Sequence, residues 1–151
     1  MTMKKIFAIA CTLFALAACK SSTPAGSGSW LDGDRSSAMG DQTNAVNVVY
    51  FEFDSSALDS AAKAKLQQQA EMWATSTRKP MLVIEGHCDK IGDSDYNLAL
   101  GERRAYAAKK ELEKMGVPAD KIETISYGKE RPAVMDNDAL NRRSVTIATK
   151  N

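Results

Sequence analysis

Histidine is almost missing from this chain: His87 stands alone among 151 residues. A Cys–His–carboxylate hydrolase would therefore have to be built wholly from the tripeptide His87-Cys88-Asp89. Adjacent strand residues face opposite sides, so His87 and Cys88 are poorly placed to act on one substrate. Structural zinc sites draw four ligands from spaced clusters, and no second cluster exists here. A packed or hydrogen-bonded His87 is the expected outcome, and neither catalysis nor a metal or cofactor is expected. Cysteine is also scarce, with three in all. Neither sign of charge is in excess: 20 Lys and Arg face 19 Asp and Glu, which leaves no basic field for nucleic acid and no acidic tail. The apolar runs all fall short of the roughly 20 residues that cross a bilayer. What remains, 44% hydrophobic and 26% charged, suits one small globular domain with appendages. Two comfortable cores would need a longer chain.

The longest apolar run sits at the N-terminus. Lys4 and Lys5 precede Ile6 to Ala18, a pattern whose length and small-residue end match a secretory signal. Met3 would serve as a start equally well. Leu16-Ala17-Ala18-Cys19 closes the run and resembles the lipobox of bacterial lipoproteins. That resemblance implies removal of residues 1–18 and lipidation of Cys19. A cleaved signal with Cys19 as bystander is the plainer alternative. One acyl chain holds a membrane only marginally, and the three chains of a lipoprotein cysteine hold it firmly. Lys20, where Asp would retain such a protein, favours the outer membrane. Without residues 1–18 the chain keeps 18 basic and 19 acidic residues, so it is near neutral. Cys88 would be its one remaining thiol, and no internal disulfide is expected.

Residues 19–44 are rich in Ser, Gly, Thr, Asp and Asn and show no apolar period, a linker composition broken by Trp30-Leu31. About 25 such residues average roughly 25–30 Å end to end, which suits a tether. The folded domain is expected over residues 45–151. Val46 to Phe53 is β-branched and aromatic, hence a strand. Ser56 with Asp59 offers a capping-box-like start for a helix carrying Leu58, Ala62, Leu66, Ala70 and Trp73 on one stripe. Met81 to His87 reads as a second strand, and Ser94 to Met115 as a second helix closed by Gly116 and Pro118. Two short strands follow, Ile122 to Ser126 and Ser144 to Ala148. The order β-α-β-α-β-β predicts an α/β two-layer sandwich, with two helices on one face of a mixed sheet.

Leu100, Arg104, Ala108 and Leu112 share one stripe of the second helix, which puts a guanidinium on an apolar face. An unpaired charge there is costly, so Arg104 needs a carboxylate, a ligand or a path to solvent. Asp89, in the loop entering this helix, is the neighbour expected, with Asn97 upstream on roughly the same side of the helix. Spacing leaves two readings open: a buried pair that fixes helix to sheet, the commoner case, or a binding site.

Val49-Tyr50-Phe51-Glu52-Phe53-Asp54, Ile84-Glu85-Gly86-His87-Cys88-Asp89 and Tyr96 to Ala105 resemble the OmpA-like family. Gly116 to Ile122, Ser126 to Pro132 and Asn141-Arg142-Arg143 continue that resemblance in order. It covers nearly the whole folded domain, and the lipobox points to the lipoprotein branch. The family resemblance implies binding of peptidoglycan through the diaminopimelate of its peptide stem. Asp89 would take the ligand's ammonium and Arg104 its carboxylate, a bidentate match. Backbone N–H groups at Phe53 and Asp54 would complete the carboxylate site in the manner of a helix N-terminus. Asn97 would support the pocket, and one of Arg142 and Arg143, with Arg143 the choice made, would line it. Cys88 stands where the family usually has Thr, Ala or Ser. The resemblance also implies TolB and other Tol components as partners in envelope integrity and cell division. Three function classes follow: a wall tether, an adaptor for a periplasmic protein, and a wall-cleaving enzyme, for which no nucleophile, base or metal cluster is visible.

Overall fold

A computed structural model describes residues 45–149. The expected signal peptide, the lipidation at Cys19, the 19–44 linker and Trp30-Leu31 lie outside the described residues. The sheet has four strands: β1 (Val48–Tyr50), β2 (Leu82–His87), β3 (Ile122–Gly128) and β4 (Arg143–Ala148). Their spatial order is β1-β4-β2-β3. The last strand enters the middle, antiparallel to both β1 and β2, while β3 pairs parallel with β2. The sheet is therefore mixed, as expected. Its topology has one consequence for the site. Strands β1, β2 and β3 all run the same way, so their C-terminal ends meet at one edge, where β4 begins. Loops at such an edge are where α/β sheets place their ligands.

Helix α1 (Ser60–Thr75) and helix α2 (Ser94–Lys114) pack against the sheet and each other. Leu66, Ala70 and Trp73 of α1 and Ala105, Ala108 and Leu112 of α2 close a core with Val49, Leu82, Ile84 and Ile122. Helix α1 starts later than the capping-box pattern suggests. Asp59 is itself the cap, its carboxylate accepting from Ala62 N at 2.6 Å, rather than the third residue of a helix begun at Ser56. Strand β1 is shorter than expected, because Phe51 to Asp54 leaves the sheet for a turn. Two short elements are new, a 3-10 turn (Ala119–Lys121) leading into β3 and a four-residue helix α3 (Asp138–Asn141) between β3 and β4.

Helix α2 lies unusually close to β2. A Cβ added at Gly86 would fall 1.8 Å from the carbonyl oxygen of Gly101, and one at Gly101 would fall 2.4 Å from Ser126 Oγ. Only glycine at both points lets the backbones meet this way. This contact fixes the distance between Asp89, two residues past β2, and the side chains on the first turns of α2.

Candidate functional site

Arg104 is 1% exposed, with Phe51 beneath its guanidinium at 5.4 Å. Its fork ties the β1–α1 loop to the end of β2 through three carbonyls. Nε donates to Ser55 O at 2.9 Å, Nη2 to Glu52 O at 3.1 Å, and Nη1 to His87 O at 2.8 Å. Burial lowers its pKa from the ordinary value, with the Cys88 and Asp89 charges opposing that shift. A guanidinium has five N–H groups; these carbonyls take three, and the Cys88 side chain is a further hydrogen-bond partner. The Nη hydrogens not given to the carbonyls are the ones a ligand carboxylate could compete for.

The expected Asp89–Arg104 pair is not what forms. Among the described residues Asp89 pairs with Arg142, Nη1 to Oδ2 at 3.3 Å, while Asp89 Oδ1 accepts from Ile91 N at 3.2 Å. The physical reason is the shape of the fork: three carbonyls, two from the β1–α1 loop and one from the end of β2, already orient Arg104, which leaves Asp89 to the neighbouring guanidinium. Arg142 in turn donates from Nε to Phe51 O at 3.2 Å, bridging the β1–α1 loop to the carboxylate. Asn97 is buried and its Nδ2 donates to Ile91 O at 2.8 Å, which pins the turn after Asp89. Cys88 sits behind them, its thiol donating to Asn97 O at 3.2 Å, with burial pushing its pKa up.

Of the two adjacent arginines, Arg142 faces Asp89. Arg143 opens β4 opposite Tyr50, and its guanidinium approaches the carbonyls of Asn141 at 3.5 Å and Arg131 at 3.3 Å. Alternation along the strand puts the two on opposite sides. His87 likewise points away from the helices, 3.5 Å from the Glu85 carboxylate and with its ring 5.6 Å from that of Tyr127. That separation makes an electrostatic contact with Glu85 rather than a hydrogen bond. Burial lowers the His87 pKa, and Glu85 partly opposes this.

Phe53 is 58% exposed and Asp54 adopts a left-handed backbone, φ 53°, with its carboxylate accepting from the Tyr96 hydroxyl. Helix α1 begins only at Ser60, so the amides at Phe53 and Asp54 belong to an open turn and not to a helix N-terminus. Next to this turn a cavity of about 260 Å³ is bounded by Tyr50, Phe51, Glu52, Leu140 and Arg142. Sequence inspection missed three residues: Arg142 as Asp89's partner, Tyr96, and Asn141. The Asn141 side chain holds the 133–134 backbone by three hydrogen bonds, at 2.7, 3.1 and 2.7 Å. The one available signal was their place inside two of the motifs, Tyr96 to Ala105 and Asn141-Arg142-Arg143. Among the described residues no group of three His, Cys, Asp or Glu is arranged to hold a metal ion, and no helix is long and apolar enough to cross a membrane.

A mixed sheet with two helices on one face, and with loop-borne Asp89 and Arg142 beside Asn97 and Arg104 of α2 at one end of it, is the arrangement of an OmpA-type domain. The chain belongs to the OmpA family, whose model matches residues 50–146. It is 41% identical over 151 residues to the peptidoglycan-associated lipoprotein of Agrobacterium fabrum, covering 92% of this chain and 85% of that one. The protein of the same name from Pasteurella multocida is 36% identical over 95% of this chain and 96% of its own. Among solved structures, the peptidoglycan-associated lipoprotein from Burkholderia pseudomallei superposes with a TM-score of 0.65 at 34% identity, covering 72% of this chain and 98% of that one. The C-terminal domain of Helicobacter pylori MotB shares the fold, with a TM-score of 0.64 at 20% identity over 69% of this chain and 84% of that one.

Proposed function

We propose that this chain is an outer-membrane lipoprotein that grips peptidoglycan without catalysis and ties the membrane to the wall. In this scheme residues 1–18 are a signal peptide, Cys19 carries the lipid, residues 19–44 form the tether and residues 45–151 form the wall-binding domain. The ligand is the side-chain head of diaminopimelate, which carries an ammonium and a carboxylate on one carbon. The observation that carries this reading is the buried Arg104 guanidinium, fixed by three carbonyls, close to the Asp89 carboxylate at one end of the sheet. Asp89 would share its oxygens between Arg142 and the incoming ammonium. The carboxylate would sit between Arg104 and the amides of the Phe53-Asp54 turn. Asn97 keeps the Asp89 turn in place. Names of the 36–41% identical relatives support the wall as the target.

Co-sedimentation with purified diaminopimelate-type sacculi tests this, using the chain from residue 20 beside folded Asp89→Ala and Arg104→Ala variants. Pelleting of the unmodified chain alone supports the pocket. Equal pelleting of all three removes Asp89 and Arg104 from the site. A second reading rests on the apolar side chains exposed around the same loops: Phe53, Ile91, Tyr96 and Met135. Such a rim suits a periplasmic protein partner, TolB within a Tol–Pal system that supports envelope integrity and cell division. An adaptor that binds partner and wall in alternation predicts that TolB releases the chain from sacculi. A tether alone predicts no release.

A further inference from the structure

The first turn of α2 reaches two different loops through two consecutive residues. Asn97 holds the turn after Asp89 by its bond to Ile91 O at 2.8 Å, and Tyr96 donates its hydroxyl to Asp54 Oδ1. Asp54 sits in the left-handed region, φ 53°, which side-chain-bearing residues other than Asp and Asn rarely enter. The carbonyls on either side of it, at Glu52 and Ser55, are both held by Arg104, and Ser55 N bonds back to Glu52 O at 3.3 Å. The turn is thus gripped at its two ends from below and at its middle by Tyr96. The Tyr96 ring is 47% exposed and stands outside the hydrophobic core, so packing does not account for its placement. Arg103 lies over the ring at 5.9 Å and steadies it from the same helix.

We propose that Tyr96 is a positioning residue that locks the left-handed Asp54 turn at a set distance from Asp89. The carboxylate and the ammonium of one ligand head are then read together. The ligand's identity rests on the wall-binding reading above; the lock is a property of the protein itself. The consequence is selectivity. Diaminopimelate offers both groups, while lysine at the same stem position offers the ammonium alone. A turn that wanders harms the first ligand and leaves the second unaffected.

The test uses the chain from residue 20 as the unmodified protein and as Tyr96→Phe. Two probes are titrated, a stem tripeptide ending in diaminopimelate and its lysine counterpart, and amide hydrogen exchange is followed at Ser55. Removing the hydroxyl should speed Ser55 exchange and weaken the diaminopimelate peptide by about three- to tenfold, as expected for one lost charge-assisted hydrogen bond. The lysine peptide should be unchanged, so the affinity ratio falls by the same factor. Unchanged Ser55 exchange in Tyr96→Phe overturns the proposal, as does an equal loss for both peptides. If the unmodified chain binds neither peptide, the wall-binding reading falls. The lock is then still decided by the exchange at Ser55.

Discussion

Gly86→Ala should damage this protein more than any other exchange of a single hydrogen for a methyl. The new Cβ would lie 1.8 Å from Gly101 O and 2.6 Å from its carbonyl carbon, with both neighbours main chain. A carbon and a carbonyl oxygen tolerate about 3.3 Å, so α2 and β2 would have to separate by roughly 1.5 Å. No rotamer change can relieve this contact. Overpacking usually costs about 1–3 kcal/mol, and a backbone clash belongs at or above the upper end. About 3 kcal/mol lowers the melting temperature of a domain near 100 residues by roughly 12–24 °C. Gly116→Ala is the control: φ is 96° there, but no atom lies within 4 Å of the added Cβ. Its penalty is conformational only, about 1–2 kcal/mol. Thermal and urea unfolding of the chain from residue 20 would measure both. The close-approach argument is refuted if Gly86→Ala costs no more than Gly116→Ala.

Burial depresses the His87 pKa, so its contribution to stability is present above the unfolded value of 6.5 and is lost as pH falls from there towards the folded value. Urea midpoints at pH 7.5 and 5 should therefore fall further for the unmodified chain than for His87→Phe, and parallel curves would refute the assignment. Arg142→Met removes the partner of a 6% exposed Asp89 side chain and should cost about 1–3 kcal/mol in urea unfolding. A neutral result would show that the pair is dispensable. Asp59→Ala deletes the α1 cap and should cost about 1 kcal/mol, whereas Ser56→Ala should be neutral. The reverse ranking in thermal melts would restore the capping-box start.

Long periodic segments were legible because burial of one face imposes the period. The stripe Leu100, Arg104, Ala108, Leu112 is buried throughout, and α2 ends where Gly116 and Pro118 said it would. Legibility failed where long-range geometry decides. Phe51-Glu52-Phe53 looks like strand by composition, yet it leaves the sheet because its carbonyls serve Arg142 and Arg104 from distant segments. Arg104's partners stand 49, 17 and 52 residues away, and nothing local announces them. The choice between Arg142 and Arg143 turns on the residue at which β4 begins, a register set by pairing with β1. Helix α3 spans four residues, too short to show a period. Of the expected site, Asp89, Asn97, Arg104 and the Phe53-Asp54 turn do meet at one end of the sheet, while Arg143 turns away.

The charges of this site point to a final outcome. Two guanidiniums, Arg104 and Arg142, face two carboxylates, Asp89 and Asp54, and all four are held by contacts within the protein. A head carrying one ammonium and one carboxylate enters without changing the net charge, and the chain beyond residue 18 is itself near neutral. Buried groups at contact distance are screened far less than exposed ones, whose interactions fade beyond about 10 Å at 0.1 M salt. Wall binding through this pocket should therefore vary less than about threefold between 50 and 500 mM NaCl. Sedimentation with sacculi across that range separates the two kinds of attraction. A loss of tenfold or more would mean that exposed lysines such as Lys90 hold the wall through its anionic groups, and that the pocket is not what grips.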